Sequence, residues 1–158
     1  MKTKIVSIAA IIATLNFANA AEKIKAPNGG RIIDTVKPNA EFLVTADKKI
    51  EIRFLDETGK VIAPQQQTAT VTMGDRTAPT KLTFVKDNDK LVSDKVVAEG
   101  DNLPVVLQIK LTPDAKTIST KFNLNMSKCP TCKNPEYACA CDHHEDDHGH
   151  KHGDDHKH

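Results

Sequence analysis

From Arg31 to Leu124 apolar residues alternate with polar ones: Phe42 and Val44; Ile50, Ile52 and Phe54; Val71 and Met73; Leu82 and Phe84; Ile118, Phe122 and Leu124. A period of two places successive apolar side chains on one face of an extended chain, so each run reads as a half-buried strand. Turn signals separate the runs at close intervals: Asp56-Glu57-Thr58-Gly59, Gly74-Asp75, Asp87-Asn88-Asp89, Gly100-Asp101-Asn102 and Pro113-Asp114. No amphipathic helix of three turns interrupts them, and Val, Ile, Thr and Leu dominate the runs, as suits strands with one wet face. The pattern predicts an all-β body over residues 29–125. We expect about seven or eight short antiparallel strands forming a small β-sandwich, an immunoglobulin-like arrangement first and a small barrel second.

The residue inventory of this body excludes several chemistries. All seven histidines and all four cysteines fall after residue 128, so neither a Ser-His-Asp nor a Cys-His arrangement can be assembled within it. Trp is absent, the single Tyr is Tyr137, and four of the five Phe lie in the predicted strands, which leaves no aromatic platform for stacking bases or sugars. Acids such as Asp56, Glu57, Asp87 and Asp89 sit in turn signals, where they read as turn chemistry, with a calcium loop as the alternative. The chain is therefore read as a binding protein and not as an enzyme.

The stretch Ala26-Pro27-Asn28-Gly29-Gly30-Arg31-Ile32-Ile33, followed by Glu41-Phe42-Leu43-Val44 and by Phe54-Leu55-Asp56-Glu57-Thr58-Gly59-Lys60-Val61, resembles a known kind of module. It is similar to the small β domain that accompanies periplasmic adaptors of heavy-metal efflux pumps, and to stand-alone bacterial β-sandwich proteins. In those modules a His often precedes the glycines, whereas Asn28 stands here, so the departure removes a potential ligand from the body. The resemblance implies a context, a cell envelope that handles metals, and assigns no site.

The N-terminus agrees with that context. Lys2 and Lys4, the apolar run from Ile5 to Phe17 and the close Ala18-Asn19-Ala20 make up the three parts of a secretory leader, predicting residues 1–20 as a signal peptide cut after Ala20. The apolar run is shorter than the roughly 20 residues a membrane helix needs, so no membrane insertion is expected after cleavage. Ala21 follows the cut in place of a lipid-accepting cysteine, and residues 21–28 read as a linker. A periplasmic or secreted protein follows. Removing 20 of the 158 residues leaves 138, enough for one core and an appendage. The leader carries two of the 22 basic residues and none of the 21 acidic ones, so the remainder has a formal charge of −1, a balance that argues against nucleic acid as a partner.

The composition changes abruptly in residues 126–142. Cys129, Cys132, Cys139 and Cys141 are spaced C-x2-C-x6-C-x-C. Zinc takes four ligands at tetrahedral corners, and a Cys-x-x-Cys bend lets two thiolates address one ion; positions i and i+2 of an extended dipeptide can supply the other two. The six-residue interval is shorter than in an ordinary zinc ribbon and predicts a compact knuckle. Lys128 and Lys133 stand ready to lower the thiol pKa values. Disulfides remain the competing chemistry, since an exported chain with an even number of cysteines meets an oxidising compartment, and the two halves of the cluster would then cross-pair.

Residues 143–158 contain His143, His144, His148, His150, His152, His156 and His158 among Asp, Glu, Gly and Lys. Nothing in this composition offsets the entropy of ordering, so a disordered tail is expected. His148, His150 and His152 alternate as on an extended chain, whereas His144, His148, His152 and His156 recur every four residues as on a helix. Gly149 and Gly153 each weaken the helical option by about 1 kcal/mol, which favours loose, shifting coordination. Residues 142–158 carry six acids and two lysines, a local charge of −4 that attracts cations. Neutral imidazole ligates zinc, nickel and copper, and Met is too scarce for a thioether copper(I) carrier.

Two readings result. In the first, the protein sequesters or delivers zinc, or alternatively nickel or copper(II), through its Cys- and His-rich C-terminus, with a metal transporter or efflux adaptor as partner. In the second, it is a non-catalytic cell-envelope interaction module whose cysteines are structural disulfides.

Overall fold

An alternating sequence becomes a sheet when each strand finds neighbours that cover the same face. The computed structural model describes residues 24–141, so the proposed leader and all seven tail histidines, His143 to His158, lie outside the described residues. Among the described residues nine strands form: β1 (Arg31–Ile33), β2 (Asn39–Val44), β3 (Lys49–Leu55), β4 (Val61–Ile62), β5 (Thr68–Met73), β6 (Thr80–Asp87), β7 (Lys90–Val96), β8 (Leu103–Lys110) and β9 (Ile118–Leu124). Every pairing is antiparallel, and the described residues contain no α-helix, as the alternation predicts. The count exceeds the expected one because β1 and β4 have three and two residues, too few to show a period.

The strands run β1-β2-β3-β7-β6-β5-β8-β9 through one continuous, nearly closed sheet, with β4 added alongside β3. The two halves meet in β6. Its first part, Thr80 to Thr83, pairs with β5 (Met73 opposite Thr80), and its second part, Phe84 to Asp87, pairs with β7 (Asp87 opposite Lys90). A strand that changes partners midway folds the sheet back on itself, which brings the apolar faces of the two halves together. The enclosed core is built from the alternating residues: Phe42 on β2; Ile50, Ile52 and Phe54 on β3; Val71 and Met73 on β5; Leu82 on β6; Leu91 on β7; Val105, Leu107 and Ile109 on β8; Leu124 on β9. Each such side chain contributes roughly 1.5–3 kcal/mol by leaving water.

Turn chemistry fixes the register. Asn88 adopts a left-handed φ of 52° in the two-residue turn between paired Asp87 and Lys90, a conformation Asn tolerates better than most residues. Asp56 Oδ1 accepts hydrogen bonds from the Thr58 hydroxyl and the Thr58 and Lys60 amides, and these hold its carboxyl below the usual range, the Thr58 hydroxyl most of all. Asp75 is lowered in the same way, first by the Thr77 amide and then by its hydroxyl. These acids serve as turn caps.

The Gly29-Gly30 pair has a steric explanation. Gly29 takes a left-handed φ of 77°, and a Cβ on Gly30 would lie 2.4 Å from the Phe42 carbonyl oxygen, well inside contact distance. The turn is fastened by the fully buried Glu41, whose Oε1 accepts from the Asn28 and Gly30 amides and whose Oε2 accepts from the Asn28 side-chain amide, at 2.8–2.9 Å. A buried carboxylate is tolerable only with such donors. Asn28 is a structural partner of Glu41, through both its backbone and its side-chain amide.

Candidate metal centre

After β9 the chain makes a short loop whose shape follows from a few backbone bonds. Lys128 and Pro135 form an isolated antiparallel bridge. Inside it the Cys129 amide donates to Asn134 O at 2.8 Å and the Lys133 amide donates to Cys129 O at 3.0 Å, folding Cys129-Pro130-Thr131-Cys132 into a tight bend. Lys133, in the left-handed region with φ 64°, lets the chain reverse. A 3-10 turn over Glu136–Ala138 follows, and the chain emerges extended at Cys139.

The bend and the extended exit face one another. Cys129, Cys132, Cys139 and Cys141 place their sulfurs within 4.8 Å of one another. Cys139 Sγ lies 3.4 Å from Cys129 Sγ and 3.7 Å from Cys132 Sγ. A tetrahedron with metal–sulfur bonds of about 2.3 Å has edges of about 3.8 Å, so the thiols stand close to where a four-thiolate ion site needs them. No disulfide joins any of the four. Cys129 is fully buried and the other three are half-buried, which leaves the site one protected wall and one accessible side.

Two thiols of the cluster, Cys139 and Cys141, are shifted upward. The Cys141 thiol is pushed up to about 12, first by sharing hydrogen bonds with Cys139 and Cys132, then by desolvation. For Cys139 the largest single influence, the Cys141 amide donating at 3.4 Å, lowers the pKa, but desolvation and the neighbouring Cys129 and Cys132 sulfurs outweigh it and the net shift is upward. Crowded thiolates repel, and a divalent cation among them removes the repulsion. The Lys133 ammonium donates to Pro130 O at 2.7 Å, within the bend that carries Cys129 and Cys132.

The cysteine segment, set apart in the sequence by composition, is packed into the body. Tyr137 and Ala138 belong to the same buried cluster as the strand residues. Tyr137 is 2% exposed, its ring meets Phe42 edge-on at 5.9 Å, and burial raises its phenol pKa, followed by a smaller opposing effect from the Val44 amide. Its hydroxyl accepts from the Val44 amide at 3.0 Å, its amide donates to Asn125 O at 3.1 Å, and its carbonyl accepts from Arg31 Nη1 at 3.2 Å. Arg31 in turn lies 4.9 Å over the Phe122 ring. Sequence reasoning missed Tyr137 and Arg31 as supports of the site. The available signal was a lone tyrosine in the middle of an otherwise polar, cysteine-rich stretch.

A groove of about 660 Å³ between β8, β9 and the loop after β5 is lined by Arg31, Arg76, Lys121, Val105 and Phe122 among others. It contains no cysteine or histidine, and its one carboxylate, Asp75, is committed to Thr77. It offers no set of cysteine or histidine ligands.

Compared with known proteins, the chain matches no family model, no curated protein and no solved structure. The envelope context implied by the Gly-Gly-Arg stretch therefore rests on the resemblance in the sequence alone.

Proposed function

We propose that this is an exported protein that binds zinc through Cys129, Cys132, Cys139 and Cys141, with the histidines of residues 143–158 as weaker accessory ligands. It sequesters the ion, or delivers it to a transporter or efflux adaptor of the cell envelope, without catalytic turnover. The observation that carries the reading is the meeting of four sulfurs from two stretches of chain within 4.8 Å. Zinc suits four thiolates at tetrahedral corners, whereas nickel and copper(II) favour square-planar or tetragonal nitrogen and oxygen sites, so those ions are better matched to the tail. The lysine-bearing apolar leader and the likeness to efflux-associated β modules support the placement in the envelope.

Native mass spectrometry of protein taken from its own compartment tests the reading. The expected result is four thiols retained with one tightly held zinc ion, and further, weaker ions that disappear when residues 142–158 are deleted. Loss of four hydrogens, one per thiol, identifies two disulfides and overturns the cysteine site. An unchanged zinc stoichiometry without the tail overturns the histidine part. Binding by the tail is expected to weaken as pH falls through about 6.5, where imidazole protonates.

A further inference from the structure

The sheet ends in two edges, β1 and β9, that no ladder joins. Several contacts span the seam, among them the edge-on meeting of Phe42 and Phe122. The Thr35 and Thr120 hydroxyls lie 2.7 Å apart, Arg31 of β1 covers Phe122 of β9, and Tyr137 reaches both sides through Asn125, Arg31 and Val44. The Val44 contact explains a detail of the ladder. β1 begins with Arg31 opposite Phe42, so no strand residue faces Val44 on that edge, and the Tyr137 hydroxyl accepts the amide hydrogen that β1 leaves behind. An amide in that position otherwise needs water or goes unpaired.

Tyr137 also stands between the two ligand pairs. Cys129 and Cys132 precede it, Cys139 and Cys141 follow it, and the loop they bracket has Tyr137 buried in the body. An ion held by both pairs closes that loop, which removes conformations open to the undocked segment and so favours docking. Docking in turn brings the second pair to the first. We infer that Tyr137 is a positioning residue of the thiolate site, and that ion binding and closure of the β1–β9 seam are reciprocally linked through it. The inference rests on the metal-binding reading of the four cysteines. Linkage requires that each event strengthen the other by the same factor.

The test uses the reduced full-length mature protein. Cobalt(II) serves as the probe because its thiolate charge-transfer band reports the cysteine site and ignores tail imidazoles; zinc competition then gives the affinity. Tyr137→Ala is expected to weaken binding at the cysteine site roughly tenfold or more without changing the shape of the cobalt spectrum, although no ligand has been altered. In wild type, zinc is expected to slow hydrogen exchange at the Val44 amide. Tyr137→Phe keeps the ring and removes the acceptor, so its affinity should fall between the two while the Val44 amide exchanges rapidly with or without zinc. Wild-type affinity in Tyr137→Ala, or normal cobalt binding with no change in Val44 exchange, overturns the linkage and leaves the metal site standing. If Tyr137→Ala does not fold, the wild-type exchange measurement and Tyr137→Phe still decide. Failure of wild type to develop the charge-transfer band overturns the metal reading itself.

Discussion

The β body and the cysteine segment are stabilised in opposite ways. Between β1 and β9, seventeen buried apolar side chains share the burial and ladder bonds repeat along every strand, so no single contact decides the structure. In residues 126–141 one aromatic side chain, a handful of backbone bonds and four thiols carry the whole arrangement. Distributed burial tolerates change at most positions; concentrated contacts do not. A segment of the second kind can be attached or released by one event, such as arrival of an ion, while the body persists.

Substitutions can break this contrast or sharpen it. The largest effect is expected from Phe42→Ala, because Phe42 is fully buried and touches both regions, meeting Phe122 at 5.0 Å and Tyr137 at 5.9 Å, each edge-on. A loss of about 3–5 kcal/mol in denaturant unfolding is expected, as for other buried Phe truncations. A loss confined to the cysteine segment, with the body melting as in wild type, would mean that the two regions are more independent than their shared core implies.

A smaller effect of the opposite sign is expected at Lys133. Its left-handed φ strains any residue with a Cβ, and its side chain contributes one exposed bond to Pro130. Lys133→Gly should leave stability and zinc affinity unchanged or improve the docked segment by up to about 1 kcal/mol, since relief of strain is partly offset by the entropy of glycine. A clear loss of zinc affinity in a competition titration would instead assign the ammonium an electrostatic role that the geometry does not give it.

The smallest effect concerns acid. Asp56, Asp75 and Asp94 are held below their ordinary value, chiefly by the Thr58 hydroxyl, the Thr77 amide and the Thr83 amide respectively. A carboxyl whose pKa is lowered by folding adds stability above its unfolded value, near pH 3.8, and that contribution fades as pH falls through the lower folded value. Asp75 and Asp94 are exposed and Asp56 is half-buried, so a modest decline in denaturation midpoint is expected as pH falls below about 4 and should shrink in Asp56→Asn. A decline of equal size in that variant would place the acid-sensitive groups elsewhere.

What the sequence made legible follows the same division. Alternation at Ile50, Ile52 and Phe54, or at Val71 and Met73, is local information, and those strands appear where it predicts them. The order in which strands pair is not local: β3 lies beside β7, four strands later, and nothing near Ile52 announces Leu91 as its neighbour. At the candidate site the four cysteines were legible from spacing, because ligands of one ion must return to one place. The support beneath them was not, since Tyr137 bonds to Arg31 and Val44, 106 and 93 residues away. Asn28 is a further case of non-local support: its amide and side chain both donate to Glu41, which no local pattern announces.

The change of partners within β6 has a consequence for how the molecule comes apart. Thr83 pairs with Thr70 in one half of the sheet, and the next residue, Phe84, pairs with Ser93 in the other. There is accordingly no cleavage plane between the halves: disrupting either one frays a strand the other needs. The body should melt as one cooperative unit, giving a single transition by every probe of its strands.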